Sequence, residues 1–224
     1  LSFDWVIIDE AGRATPPESL LPSINGKKVV FVGDHKQLPP VIDRFLDEAG
    51  EDKLKINSLK VSLFEDLFKR IHTDSRATLQ TQYRMHPAIA RMVSALFYSD
   101  TPLKPGCTEE ERASGIHDWK PITWIRTDDH QQAAEKQLGT SYFNLAEVNA
   151  VQNALLNLDK CLEDTGTRKS VAVITGYMPQ RNKLREAIDV LKLEHLEVEV
   201  DTVDAFQGRE ADLVLYSMVR NNSE

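Results

Sequence analysis

Short apolar runs that break off on acidic or glycine-aspartate pairs, each followed by a stretch with helical spacing, recur along these 224 residues. Residues 3–8 (FDWVII) end on Asp9-Glu10, and residues 28–32 (KVVFV) end on Gly33-Asp34. Runs of this kind read as buried strands of a parallel sheet, whose carboxyl ends are where open α/β sheets bind ligands. Pro16-Pro17 and Glu18 to Leu21 suit a turn and a short helix between the two. The pattern predicts further helices over 59–71 (Leu63, Leu67 and Ile71, with Phe64 and Phe68 beside them), 86–98 with Pro87 in the first turn, 146–158 and 179–191. Strands are predicted over 78–83, 122–125, 170–175, 197–200 and 213–218. Such alternation predicts an α/β fold with a doubly wound second lobe. Residues 1–72 hold too few strands for an independent sheet and read as part of a first lobe with a connecting helix; residues 73–224 read as a second lobe. Residues 43–58 and 100–119 read as loops.

Composition narrows the function classes without choosing one. The formal net charge of −8 counts against a simple basic-patch nucleic-acid binder, and neither half of the chain carries a basic excess, so any nucleic-acid site must be local. No apolar run approaches the roughly 20 residues that cross a bilayer, and no signal-like start is present, which predicts a cytoplasmic or nuclear setting and no membrane partner. Cys107 and Cys161 lack metal-ligand or disulfide spacing and read as ordinary thiols.

The chemistry lies in an ordered series of short motifs. Asp9-Glu10 at a strand end fits a pair in which Asp9 helps hold Mg²⁺ and Glu10 orients or deprotonates the attacking water, although an acidic strand end is often only a solvated edge. Gly33-Asp34-His35-Lys36-Gln37-Leu38-Pro39-Pro40 follows the next strand, with a glutamine amide able to touch a phosphate or its water. Gln82-Tyr83-Arg84-Met85-His86-Pro87, Thr202 to Glu210 (TVDAFQGRE) and Val219-Arg220-Asn221-Asn222 come later. Together these resemble motifs II to VI of superfamily 1 nucleic-acid helicases. Gly139 to Asn144 (GTSYFN) with Glu147, and Val173 to Tyr177 with Gln180, narrow the resemblance to the Upf1-like group. Gly176 stands where that group usually has proline, Asn221 where it usually has serine, and Arg13 where it often has glutamine.

The resemblance implies a RecA-like P-loop NTPase fold in two lobes, with ATP and Mg²⁺ between them and single-stranded RNA or DNA across their top. It implies that Asp9, Glu10, Gln37, Arg84 and Arg220 carry hydrolysis, with Asp9 as the metal ligand. Arg84 and Arg220 would be the guanidiniums on the γ-phosphate, a role suited to a permanently charged, forked donor. Tyr83 would pack on the base, Gly208 would let backbone approach a phosphate, and Glu210 would contact the ribose. Pro39, Thr175 and Thr202 would lie along the nucleic acid. No GxxxxGK[ST] occurs, so the phosphate-binding loop is expected upstream of Leu1 and the chain alone is expected to be inactive. The expected whole is an ATP-dependent 5′-to-3′ helicase or translocase, working as a monomer. The alternative is a non-hydrolysing nucleic-acid-binding or regulatory module.

Overall fold

The computed structural model describes residues 1–41, 59–117, 119–128 and 133–221. The expected loop over 43–58 lies outside them. Elements are numbered along the described residues. The chain divides into two compact units, Leu1–Gln82 with Arg91–Lys104, and Tyr83–Ala90 with Pro105–Glu224.

In the first unit β1 (Phe3–Ile8) and β2 (Gly26–Phe31) run parallel, with Phe3 opposite Gly26 and Ile8 opposite Phe31. The connecting α1 (Pro16–Ser23) opens with a capping box, in which Glu18 accepts the Thr15 backbone N–H and hydroxyl. The expectation of buried strands is corrected here. Trp5 is 57% exposed and Ile7 69%, because two strands and one short helix cannot cover both faces of a parallel sheet. α2 (Leu63–Arg70) is capped by the Ser62 hydroxyl, which accepts Glu65 N–H, and carries Glu65–Lys69 and Asp66–Arg70 pairs one turn apart. Its Phe64 and Phe68 rings pack by His35. The strand expected over 78–83 shrinks to β3 (Thr81–Gln82), which pairs with β4 (Lys104–Pro105). α3 is Pro87–Phe97.

The second unit is built on three parallel strands in the order β8-β7-β9, with β7 Lys169–Thr175, β8 Leu196–Thr202 and β9 Leu213–Ser217. Two helices, α4 (Leu145–Leu162) and α5 (Met178–Ile188), pack on each other and on the sheet. Between them and the strands lies the core, where Leu155, Leu158, Leu162, Val171, Val173 and Leu184 are at most 1% exposed. The expected strand over 122–125 is absent: Trp124 is 75% exposed, and a run of four residues with no neighbouring strand gains nothing from extension. In its place, the pattern reading missed a hairpin, β5 (Lys136–Leu138) and β6 (Ser141–Phe143), which turns at Gly139 with φ +61°. A short helix, α6 (Val203–Phe206), follows β8. Register aligns Thr175 with both Thr202 and Ser217, so three strands end in one row.

Candidate functional site

In the first unit the site begins where β1 stops. Glu10 has φ +50°, and the Asp9 carboxylate accepts its N–H at 2.9 Å. Ala11 N–H donates to Val32 O, so the acidic turn is stitched to the end of β2. The stitch needs both glycines: a Cβ on Gly12 would stand 2.5 Å from Asp34 O, and one on Gly33 would stand 2.7 Å from Gly12 N. Both carboxylates are exposed beyond this tight floor. Asp34 turns back into its own loop, accepting Lys36 N–H on Oδ1 at 2.9 Å and the Gln37 amide on Oδ2 at 3.1 Å, and the Tyr98 hydroxyl donates to the same Oδ2. Gln37 is thereby oriented by a carboxylate rather than left to swing, while Pro39 is exposed two residues on. Burial, then the hydrogen bond to Asp34 and that group's charge, push the Tyr98 phenol well above the usual tyrosine range.

In the second unit, Arg84, Glu210 and Arg220 border one depression of about 1530 Å³. Arg84 Nε donates to Glu210 at 2.6 Å, with the two side chains 59% and 60% exposed. An ion pair so exposed is worth ~0–1 kcal/mol, so a phosphate can displace it at little expense. Arg220 is held harder: Glu135 accepts its Nε at 2.9 Å, and its guanidinium lies 4.4 Å from the centre of the Tyr142 ring. Glu135 also accepts Asn221 N–H at 3.0 Å. That backbone bond first, then the Arg220 pairing, hold the Glu135 carboxyl below its usual range, and Glu135 in turn pushes Arg220 up.

The sequence-predicted residues fall into two sets. Asp9, Glu10, Gln37 and Pro39 belong to the first unit, and Tyr83, Arg84, Thr175, Thr202, Gly208, Glu210 and Arg220 to the second. Tyr83 is 63% exposed, so it is no core residue, and its ring lies where a Cβ on Gly106 would sit. Gly208 has φ +81° with open space where a Cβ would stand, as close backbone approach demands. Thr202 is half-buried at the end of β8. Thr175 is fully buried and its hydroxyl has no partner.

Glu135 and Tyr98 were missed: their partners lie 85 and 64 residues away in the chain, and no local pattern flags them. Tyr142 sits in the GTSYFN stretch already singled out, but its contact with Arg220 is not legible there. Cys107 and Cys161 are free thiols. Among the described residues no cluster of three or more potential ligands could hold a metal by itself, and no helix is long and apolar enough to cross a membrane.

An AAA domain profile matches residues 59–224, and a second AAA domain profile matches 1–44. The chain belongs to the AAA domain family. Its α/β architecture is that of the RecA-like P-loop fold, and its relatives mark it as an Upf1-like superfamily 1 helicase region. It is 37% identical, over 99% of its length, to 20% of the regulator of nonsense transcripts 1 homolog of Neurospora crassa. It is 36% identical, over 99% of its length, to 22% of the ATP-dependent helicase NAM7 of Saccharomyces cerevisiae. With the 5′-3′ DNA helicase ZGRF1 of Mus musculus it shares 36% identity over 98% of the chain and 11% of that protein. The chain therefore spans about a fifth or less of these relatives' lengths.

Proposed function

We propose that this AAA-family chain is the motor portion of a nucleic-acid-stimulated ATPase that moves 5′ to 3′ along single-stranded RNA or DNA. The observation that carries the reading is the paired preparation of opposite charges. Exposed carboxylates stand on a rigid turn in one unit, while in the other two guanidiniums border one depression, each held by a glutamate that phosphate oxygens can replace.

In this reading residues 1–72 supply the last part of one RecA-like lobe and residues 73–224 supply the other. Asp9 fits Mg²⁺, a hard cation that takes one or two carboxylates and completes its shell with phosphate oxygens and water, so no larger ligand cluster is required. Bound there, the ion would neutralise charge on the phosphates. Glu10 orients and deprotonates the attacking water, and Gln37, steadied by Asp34, reports on the γ-phosphate. Arg84 and Arg220 leave their glutamates and stabilise charge on the transferred group; Tyr83 packs on the base and Glu210, released from Arg84, takes the ribose. Because both units then hold one triphosphate, ATP favours their approach and hydrolysis weakens it, the differential affinity that stepping needs.

The polymer lies along Pro39, Thr202 and the Gly176 turn, held by phosphates with little base readout. Thr175, whose hydroxyl is buried, contributes through its backbone or after that turn shifts. We assign the working unit as a monomer, acting in the cytoplasm or nucleus. Relatives named for nonsense transcripts and for DNA leave the choice of polymer to experiment.

The test is the ATPase rate of the full-length protein with and without matched RNA and DNA oligomers, beside its Glu10→Gln form. Stimulation that Glu10→Gln abolishes is expected. Equal rates in the two forms would remove the catalytic role of Glu10 and favour a non-hydrolysing binding module.

A further inference from the structure

The residue before Arg220 is held in a conformation its side chain opposes. Val219 has φ +69° and is fully buried, and Arg220 N–H donates to Met218 O at 2.8 Å across it. A bond from residue i+2 back to residue i around a positive φ marks the strained form of the γ-turn, and a β-branched residue is the least suited to it. Such a conformation persists only where the surroundings over-determine it.

Here they do so through side chains. Val219 N–H donates to Glu147 Oε2 at 2.9 Å, and Val219 O accepts the Asn144 side-chain amide at 3.2 Å. Glu147 Oε2 also accepts the Ser217 hydroxyl at 2.6 Å. Gln180, fully buried, donates to Ser217 Oγ at 2.8 Å and to Asn144 O at 3.1 Å, and accepts Asn144 N–H at 2.8 Å. Asn144 meanwhile caps α4 by accepting Glu147 N–H. Each of these polar groups is committed to another, so the first turns of α4 and α5 and the end of β9 lock into one arrangement. That arrangement sets the direction in which the chain, and with it Arg220, leaves the sheet.

We propose that Glu147, assisted by Asn144, is a positioning residue for Arg220: it acts on ATP hydrolysis by holding the Val219 turn and touches no substrate. Without that anchor Val219 relaxes towards negative φ, and the guanidinium swings off the Tyr142 ring and the line to the phosphate. The inference rests on the reading of Arg220 as a γ-phosphate contact.

A double-mutant cycle on kcat of the nucleic-acid-stimulated ATPase, in the full-length protein, tests it. Arg220→Ala should lower kcat about 10³-fold. Glu147→Ala should lower kcat about 10- to 100-fold, as misplacement by an ångström does, with little change in KM for ATP. In the Arg220→Ala background it should lower kcat no further. Glu147→Gln, which keeps an oxygen for Val219 N–H, should restore most of the rate. Should the alanine form not fold, Glu147→Asp, which withdraws the acceptor by one methylene, carries the same cycle with the same expected non-additivity. Equal losses in both backgrounds, or no loss from Glu147→Ala, overturn the inference and leave the function standing. An unchanged kcat in Arg220→Ala overturns the assignment of Arg220 and the inference with it.

Discussion

Glu10 and Val219 are the two described residues other than glycine with positive φ, and each stands at the edge of a strand beside a charge that the proposed reaction uses. They are held by opposite means. The Glu10 turn is exposed and secured by backbone: Ala11 N–H on Val32 O, and two glycines that let the strand ends touch. The Val219 turn is fully buried and secured by side chains 72 and 75 residues away. Backbone-held strain of this kind can be read locally, because only glycine permits the approach. Side-chain-held strain leaves a serine, two amides and a glutamate: the amides and the glutamate stand in motifs visible in the sequence, while the grip on Val219 is not visible there. In both turns, strain of order 1–3 kcal/mol is offset by neighbours, and a charged side chain gains a fixed direction.

The largest effect that would sharpen the contrast is chemical. Glu10→Gln should keep the exposed turn and remove only the charge, lowering kcat by about 10²–10⁴ while the thermal midpoint stays put. A fall of several degrees would mean that the carboxylate itself holds the turn. Next comes Gly12→Ala, whose Cβ meets backbone at Asp34: unfolding free energy should drop by about 1–3 kcal/mol in denaturant titration. A neutral result would break the claim that glycine secures this side.

Tyr98→Phe should lose about 1 kcal/mol at neutral pH by leaving Asp34 short of a donor. The sign follows from the raised phenol. Its contribution is full below the ordinary tyrosine value and fades as pH rises towards the folded one, so the gap between Tyr98→Phe and wild type should close above about pH 10. The smallest effect concerns Glu135. Its lowered carboxyl contributes above the ordinary glutamate value and fades as pH falls through the folded one, so Glu135→Gln should cost under ~1 kcal/mol at neutral pH and nothing in strong acid.

Most elements were legible from periodicity alone. β1, β7 and the helix that starts at Pro87 lie within a residue or so of where apolar spacing and proline placed them. The failures share one cause. Residues 122–125 have strand-like side chains but no partner strand, and the apolar faces of β1 and β2 are only partly covered in this unit. Extension and burial are both properties of neighbours, which a short window cannot contain.

By itself the sequence determined the alternation of strands and helices, the glycine at the end of the second strand, and the identities of the acids and arginines that end those strands. All of these follow from rules that act within a few residues: side-chain periodicity, the missing Cβ of glycine, and charge. Only the tertiary structure decided that Arg220 stacks on Tyr142 and pairs with Glu135, and that Glu147 and Asn144 grip a buried valine turned against its preference. Those partners meet because a hydrophobic core packs α4 and α5 against the sheet, and packing chooses neighbours across distances that local propensity does not reach.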